Sequence, residues 1–344
     1  MHTRLVTLGI GAIATMAAVP AHADVVIGPR VSYYFDNSNL RTSGFDTGLE
    51  EGDSLDPQDA AVIAAAFGET PTLSTRLESE GVKADQIGFA MYGGMVNFGG
   101  DRDRFTLTAM YGSGEGSLAQ SAAVSRNLAI GPAQITDLIN FDASAIDSSN
   151  RLDIEATWQR RQSETFAILA GLRYERIDST YTGNLRVVQG NAIATLIAQA
   201  EAIVDGNPVP PILPAIPAID AVVREETRFE TFSARAGVTA FVPFSQSAVA
   251  FFNGMLQASY RPDNSYTLMI DDPSGVFDGT TTGTEPGEVS LGPDFAVGAQ
   301  FILAKNIALD LRYRAVLFFP LSGAQTFSDA RVNHGVNLGL SLRL

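Results

Sequence analysis

A chain of 344 residues with 45% hydrophobic and 18% charged side chains can bury a large apolar surface, which excludes a mainly disordered protein. Its formal charge of -15 works against a nucleic-acid partner, because phosphate backbones are held by clustered cations. With no cysteine present, disulfides, thiolate metal sites and thiol nucleophiles are excluded together.

The chain starts with His2 and Arg4, runs apolar from Leu5 to Val19, and reaches Ala21-His22-Ala23 before Asp24. That order predicts a cleaved export signal over 1–23 and a single domain over 24–344. No later stretch is long and apolar enough for a spanning helix, so a membrane protein built on this chain must be a barrel.

From there the sequence alternates apolar and polar residues in segments, each a strand between two different environments. The first covers 25–35. A connection over 36–85 follows, with helix punctuation at 56–68: Asp56 as cap, Pro57 next, Gly68 at the end. Segments 87–98 and 105–111 form a hairpin. The connection 114–149 predicts two further short helices, at 118–128 and 132–141. A second hairpin pairs 152–160 with 166–176. The connection 178–226 holds an alanine-rich run at 191–204 and then a proline-dense run containing Pro208, Pro210, Pro211, Ile212, Leu213, Pro214 and Ile216. Proline at that density forbids a ladder strand and favours an extended run. This run is either an external interaction segment or, the preferred reading, a segment packed over the barrel mouth or against its own helix. A third hairpin pairs 232–242 with 248–260, and an acidic connection runs over 261–290. A fourth pairs 291–303 with 307–319, and 331–344 closes the series.

Ten segments, joined by short and long connections in strict alternation, predict an all-β protein. It is an antiparallel up-and-down transmembrane β-barrel of about ten strands, with long extracellular loops containing short helices. A soluble periplasmic β-protein is the competing reading, and the charged parity of the strands argues against it. The export signal, the hairpin 295–319 and the final strand resemble Gram-negative outer-membrane β-barrel proteins. The chain departs from that class in ending on Leu344 rather than an aromatic residue. The resemblance implies location in the outer membrane, a surround of lipid and lipopolysaccharide, and the barrel-insertion machinery as a partner in biogenesis.

The polar parity identifies the lumen-lining candidates Arg30, Asp153, Glu155, Arg173, Glu175, Arg235, Asp294, Asp310, Arg312, Arg314 and Arg343, with both signs available for paired layers. Bore grows with strand number, and ten strands leave little free space. Two functions are expected from such a chain. One is a porin-like small-solute or ion channel with a narrow charged lumen. The other is a non-conducting scaffold presenting acidic extracellular loops for surface interaction or adhesion. An omptin-like outer-membrane protease is a minor alternative, since Asp36, Asp178, Asp263 and Asp329 stand near strand ends. His334, the only histidine after residue 23, is expected to face outward, and no catalytic site is expected. No motif implies a cofactor, a dedicated calcium loop or a phosphate-binding loop.

Overall fold

The computed structural model describes residues 24–36, 55–84, 87–100, 102–214, 218–273, 279–322 and 331–344. The expected signal at 1–23 lies outside the described residues. In chain order the elements are β1 (Asp24–Asp36), α1 (Pro57–Phe67), β2 (Thr72–Ala84), β3 (Ile87–Gly99), β4 (Asp103–Ile130), β5 (Ala133–Arg161), β6 (Phe166–Gln189) and α2 (Ala192–Asp205). There follow β7 (Ile219–Ser245), β8 (Ala248–Arg261), β9 (Asn264–Asp271), β10 (Gly279–Glu285), β11 (Glu288–Ala304), β12 (Ile307–Ser322) and β13 (Arg331–Arg343).

Ten of these strands close on themselves, in the order β1-β3-β4-β5-β6-β7-β8-β11-β12-β13, with every pairing antiparallel. Closure removes the exposed edges that a bilayer cannot satisfy. It runs through rungs such as Tyr33↔Val336 between β1 and β13. The remaining strands add outside the ring: β2 on β4, and the β9–β10 hairpin on β7.

Apolar residues point outward on the barrel, the reverse of a soluble sheet. Leu172, Val238, Leu256, Leu311 and Leu338 are all exposed. Aromatic rungs bound this band at two levels. Above lie Tyr92↔Tyr111, Tyr174↔Phe232 and Phe232↔Tyr260; below lie Phe98↔Phe105 and Phe105↔Trp158. Two such girdles around an apolar band about 25 Å tall mark the two interfaces of an outer-membrane barrel. Just beyond the upper girdle the outer wall turns charged, with Asp178 bound by Arg176 at 2.8 Å and by Arg228 at 2.6 Å. The start of β1, the end of β13 and the short turns lie at the opposite, periplasmic end.

The strands β4 to β7 are 28, 29, 24 and 27 residues long, far beyond the roughly ten needed to cross the membrane. This corrects the expected loops. Residues 118–128 and 132–141 are not helices but the outer arms of β4 and β5, paired without a break from Asp103↔Arg160 to Ile130↔Ala133. Gly131, at φ 54, makes the reversal, and Pro132 follows it in the turn rather than opening a helix. The acidic connection 261–290 likewise contains the β9–β10 hairpin. Helix α1 forms as its punctuation requires: Asp56 accepts from the Gln58 amide at 2.7 Å, and Gly68 ends the helix at φ 76.

Candidate functional site

The site is the barrel interior, filled in layers. Seen from the periplasmic end, the first is a vestibule of about 390 Å³ that reaches the turn residues Lys305 and Asn306 and is walled in part by Arg312 and Arg343. Beside it Arg30 holds Asp310 at 3.1 Å, and Asp310 also accepts from Gln300 at 2.9 Å and Ser341 at 2.7 Å. Arg30 fits because Gly339 lies beneath its guanidinium, where any Cβ would collide.

Above the vestibule lies one connected network of ion pairs. Asp294, fully buried, accepts from Arg314 at 2.7 Å and from Arg235 at 3.1 Å. Glu155 accepts from Arg235 at 3.2 Å, lies 3.4 Å from Arg173, and pairs with Arg314. Arg173 grips Asp153 and Glu175, each at 2.6 Å. Arg151 then binds Glu175 at 2.7 Å and Asp36 at 3.0 Å. Several of these pairs link neighbouring strands along the wall, as Arg173 with Asp153 and Arg314 with Asp294 do, whereas Arg151–Asp36, Arg235–Glu155, Arg235–Asp294 and Arg314–Glu155 join strands that are not neighbours. Arg314 on β12 and Glu155 on β5 stand five strands apart whichever way the ring is counted, so their contact spans the diameter.

Arg151 sits in an apolar layer, with its guanidinium 5.6 Å from the Tyr34 ring centroid and 5.5 Å from that of Phe89. Ile87, Met91, Met110, Ile177 and Phe229 complete that layer. Such stacking suits arginine, whose flat, weakly hydrated cation tolerates an aromatic surround. A further ionic layer lies outward of it: Glu288 accepts from Arg261 at 2.6 Å and Arg331 at 2.5 Å, while these arginines lie over Phe229 and Phe318.

The structure therefore brings together, inside the barrel, Arg30, Asp153, Glu155, Arg173, Glu175, Arg235, Asp294, Asp310 and Arg314. Arg312 and Arg343 line the vestibule wall. Sequence reasoning missed Asp36, Arg151, Arg261, Glu288 and Arg331. Arg151 shares its parity with Asp153 and Glu155 two and four residues on, and that continuation is the signal that could have found it. His334 faces out, stacked on Phe35 and 3.1 Å from the Tyr313 hydroxyl. The aspartates near strand ends do not converge: Asp36 is inside with Arg151, Asp178 is on the outer wall, and Asp263 accepts from the Gly287 amide. Asp329 lies outside the described residues.

At the far extracellular end, α1 and α2 pack around Ile63, Leu128, Ile193 and Ala200. Asn191 offers α2 no side-chain cap; Asp137 of β5 supplies one, accepting from the Ala192 amide at 2.8 Å and the Ile193 amide at 2.9 Å. The proline-dense run folds back on α2. The Leu213 amide donates to the Thr195 hydroxyl at 3.2 Å, Asn191 donates to the carbonyls of Leu213 and Pro214, and Gln199 donates to that of Pro210. Ile212 still stands 77% exposed. Ile216 lies outside the described residues.

No protein-family model matches this sequence, and no curated protein matches it. Among solved structures, the outer membrane protease OmpT of Escherichia coli aligns at 10% identity over 94% of this chain and 96% of its own, with a TM-score of 0.37. The translocator domain of the autotransporter NalP of Neisseria meningitidis aligns at 9% identity over 100% and 96%, with a TM-score of 0.30. An outer membrane channel of Pseudomonas putida F1 aligns at 9% identity over 95% and 97%, with a TM-score of 0.31. At these scores the likenesses add nothing to what the closed ring and its outward apolar band establish.

Proposed function

We propose that this outer-membrane β-barrel is a closed, non-conducting scaffold that presents an extracellular β-structure, tipped by a helix pair, for contact with a surface partner. The observation that carries the reading is the Arg314–Glu155 contact across the full diameter of the ring. Side chains that meet from opposite walls obstruct the axis at their level. The apolar layer around Arg151 lies across the same axis. A porin-like channel has to move ions past both.

The extracellular part supports a role in contact. The four long strands carry a cleft of about 640 Å³ lined by Gln120, Asp142, Ala143, Leu185, Arg186 and Asp220, among others. A cleft of this size falls within the usual range for binding sites. Assembly through the barrel-insertion machinery belongs to this reading, with β13 presenting Val336, Leu338, Leu340 and Leu342 outward in alternation.

Planar-bilayer recording of purified, folded protein tests the proposal. Silent membranes are expected. Reproducible single-channel steps from the wild-type protein would overturn it and restore the porin-like reading.

A further inference from the structure

More basic than acidic side chains line the vestibule, seven against four. All four carboxylates are engaged by arginine: Asp153 with Arg173 at 2.6 Å, Glu155 with Arg235 at 3.2 Å, Asp294 with Arg314 at 2.7 Å and Asp310 with Arg30 at 3.1 Å. The cavity therefore presents a net positive wall to whatever enters from the periplasm.

Arg312 is the centre of that excess. Among the described residues it makes no ion pair, unlike Arg30 and Arg314 on the same wall. Its guanidinium lies 5.2 Å from the centroid of the Phe251 ring. Room for that ring exists because Gly298, which pairs with Arg312 in the β11–β12 register, has no side chain: a Cβ there would come within 2.5 Å of Phe251 Cζ. The Arg312 Nε–H is buried without an acceptor. Arg126, on the extracellular arm of β4, and Arg151, Arg235 and Arg331 also leave Nε without one, but the last three are compensated by carboxylates through their Nη atoms and Arg126 lies away from the vestibule. Arginine cannot shed its proton to relieve the cost. An incoming anion supplies the missing countercharge, and the Nη edge of the guanidinium matches carboxylate or phosphate oxygens in pairs. Asn337, the neighbour of Arg312 on β13, and Asn253 and Gln300 on the same wall add neutral donors.

We infer that the vestibule is a binding site for a small oxyanion, a carboxylate or a phosphate monoester, centred on Arg312 and entered from the periplasmic end. Its volume of about 390 Å³ admits a small metabolite but not a polymer. Binding there needs no through-path, so it stands whether or not the barrel conducts.

The test is thermal unfolding of the full chain folded in detergent, titrated with inorganic phosphate in one arm and acetate in another, at constant ionic strength set with sodium chloride. A saturable rise in unfolding midpoint is expected with at least one probe, and the arm that responds identifies the preferred oxyanion. Arg312→Gln is expected to weaken that response at least tenfold in probe concentration. Asn337→Asp places a carboxylate beside Arg312, neutralises it without removing it, and is expected to give the same loss. That second variant keeps the test decisive if Arg312→Gln does not fold. Absence of a saturable response to either probe in the wild type, or an unchanged response in the variants that fold, would overturn the site.

Discussion

Replacing Arg151 by methionine tests whether the lumen is held by cross-barrel ion pairs. Arg151 is fully buried and, with Arg173, serves Asp36, Asp153 and Glu175. Arg151→Met leaves one guanidinium for three carboxylates. Glu175 keeps Arg173 at 2.6 Å, whereas Asp36 keeps the Asn333 amide at 3.3 Å but loses its pair with Arg151. Removing one partner of a buried pair costs about 3–5 kcal/mol, and methionine fills most of the space between Tyr34 and Phe89, so packing adds little. The double variant Asp36→Asn with Arg151→Met removes both members of that buried pair and is expected to recover all but about 1–2 kcal/mol, since a buried pair exchanged for neutral groups is close to break-even. Equilibrium guanidinium unfolding of the protein folded in lipid, followed by the fluorescence of Trp158, measures both. A single variant within about 1 kcal/mol of wild type, or a double variant no more stable than the single, would refute the reasoning.

Three further outcomes are expected. Asp137→Ala removes the borrowed cap of α2 and should cost the tip about 1–2 kcal/mol; hydrogen exchange should speed up at the amides of Ala192 and Ile193 while the barrel strands stay protected. Gly339→Val drives a side chain into the space of the Arg30 guanidinium and should destabilise the barrel by about 1–3 kcal/mol through overpacking, read as a lower guanidinium midpoint. Trp158, the only tryptophan, sits in the lower aromatic girdle and should be quenched more strongly by spin labels near the lipid headgroup than by labels at the chain terminus.

The ten barrel strands were legible because lipid outside and ion pairs inside force opposite chemistry onto alternate residues, as in Phe232 to Val242. Legibility failed where strands leave the bilayer. On β5 the outward parity changes from Leu152 and Ile154 to the exposed Asn150 and Ser148, so the hydrophobic alternation stops while the alternation of direction continues. Arg151 was lost at that boundary. Farther out the sense of the pattern inverts: Val124, Leu128, Ile139 and Val223 turn inward and are buried, while Ser121 and Asp142 face water. Alanines at 119, 122 and 123 then read as helix, since composition there no longer distinguishes the two structures. Glu288 was assigned to a solvated acidic loop because its partners, Arg261 and Arg331, are 27 and 43 residues away and meet it only once the barrel closes. The helix at 56–68, specified by local capping residues, needed no such long-range knowledge.

On the proposed scaffold reading, the braced interior and the long exterior answer one mechanical requirement. Strand β5 extends roughly 95 Å at about 3.3 Å per residue, and β4, β6 and β7 are comparable, so a force on the tip acts on the barrel through a lever longer than the membrane is thick. Backbone ladders resist separation of neighbouring strands but do little against flattening of the ring, which changes distances between opposite walls. Contacts from Arg314 to Glu155, from Arg235 to Asp294 and from Arg151 to Asp36 join strands that are not neighbours, and those are the distances that flattening alters. Glu155 alone receives guanidinium groups from β6, β7 and β12. A lysine offers a point charge on a flexible stem, whereas the arginine fork fixes orientation as well as distance, and the chain has only two lysines among its 23 basic residues. On the proposed scaffold reading, these braces occupy the axis that a conducting barrel would keep open, and the extracellular structure is carried on them.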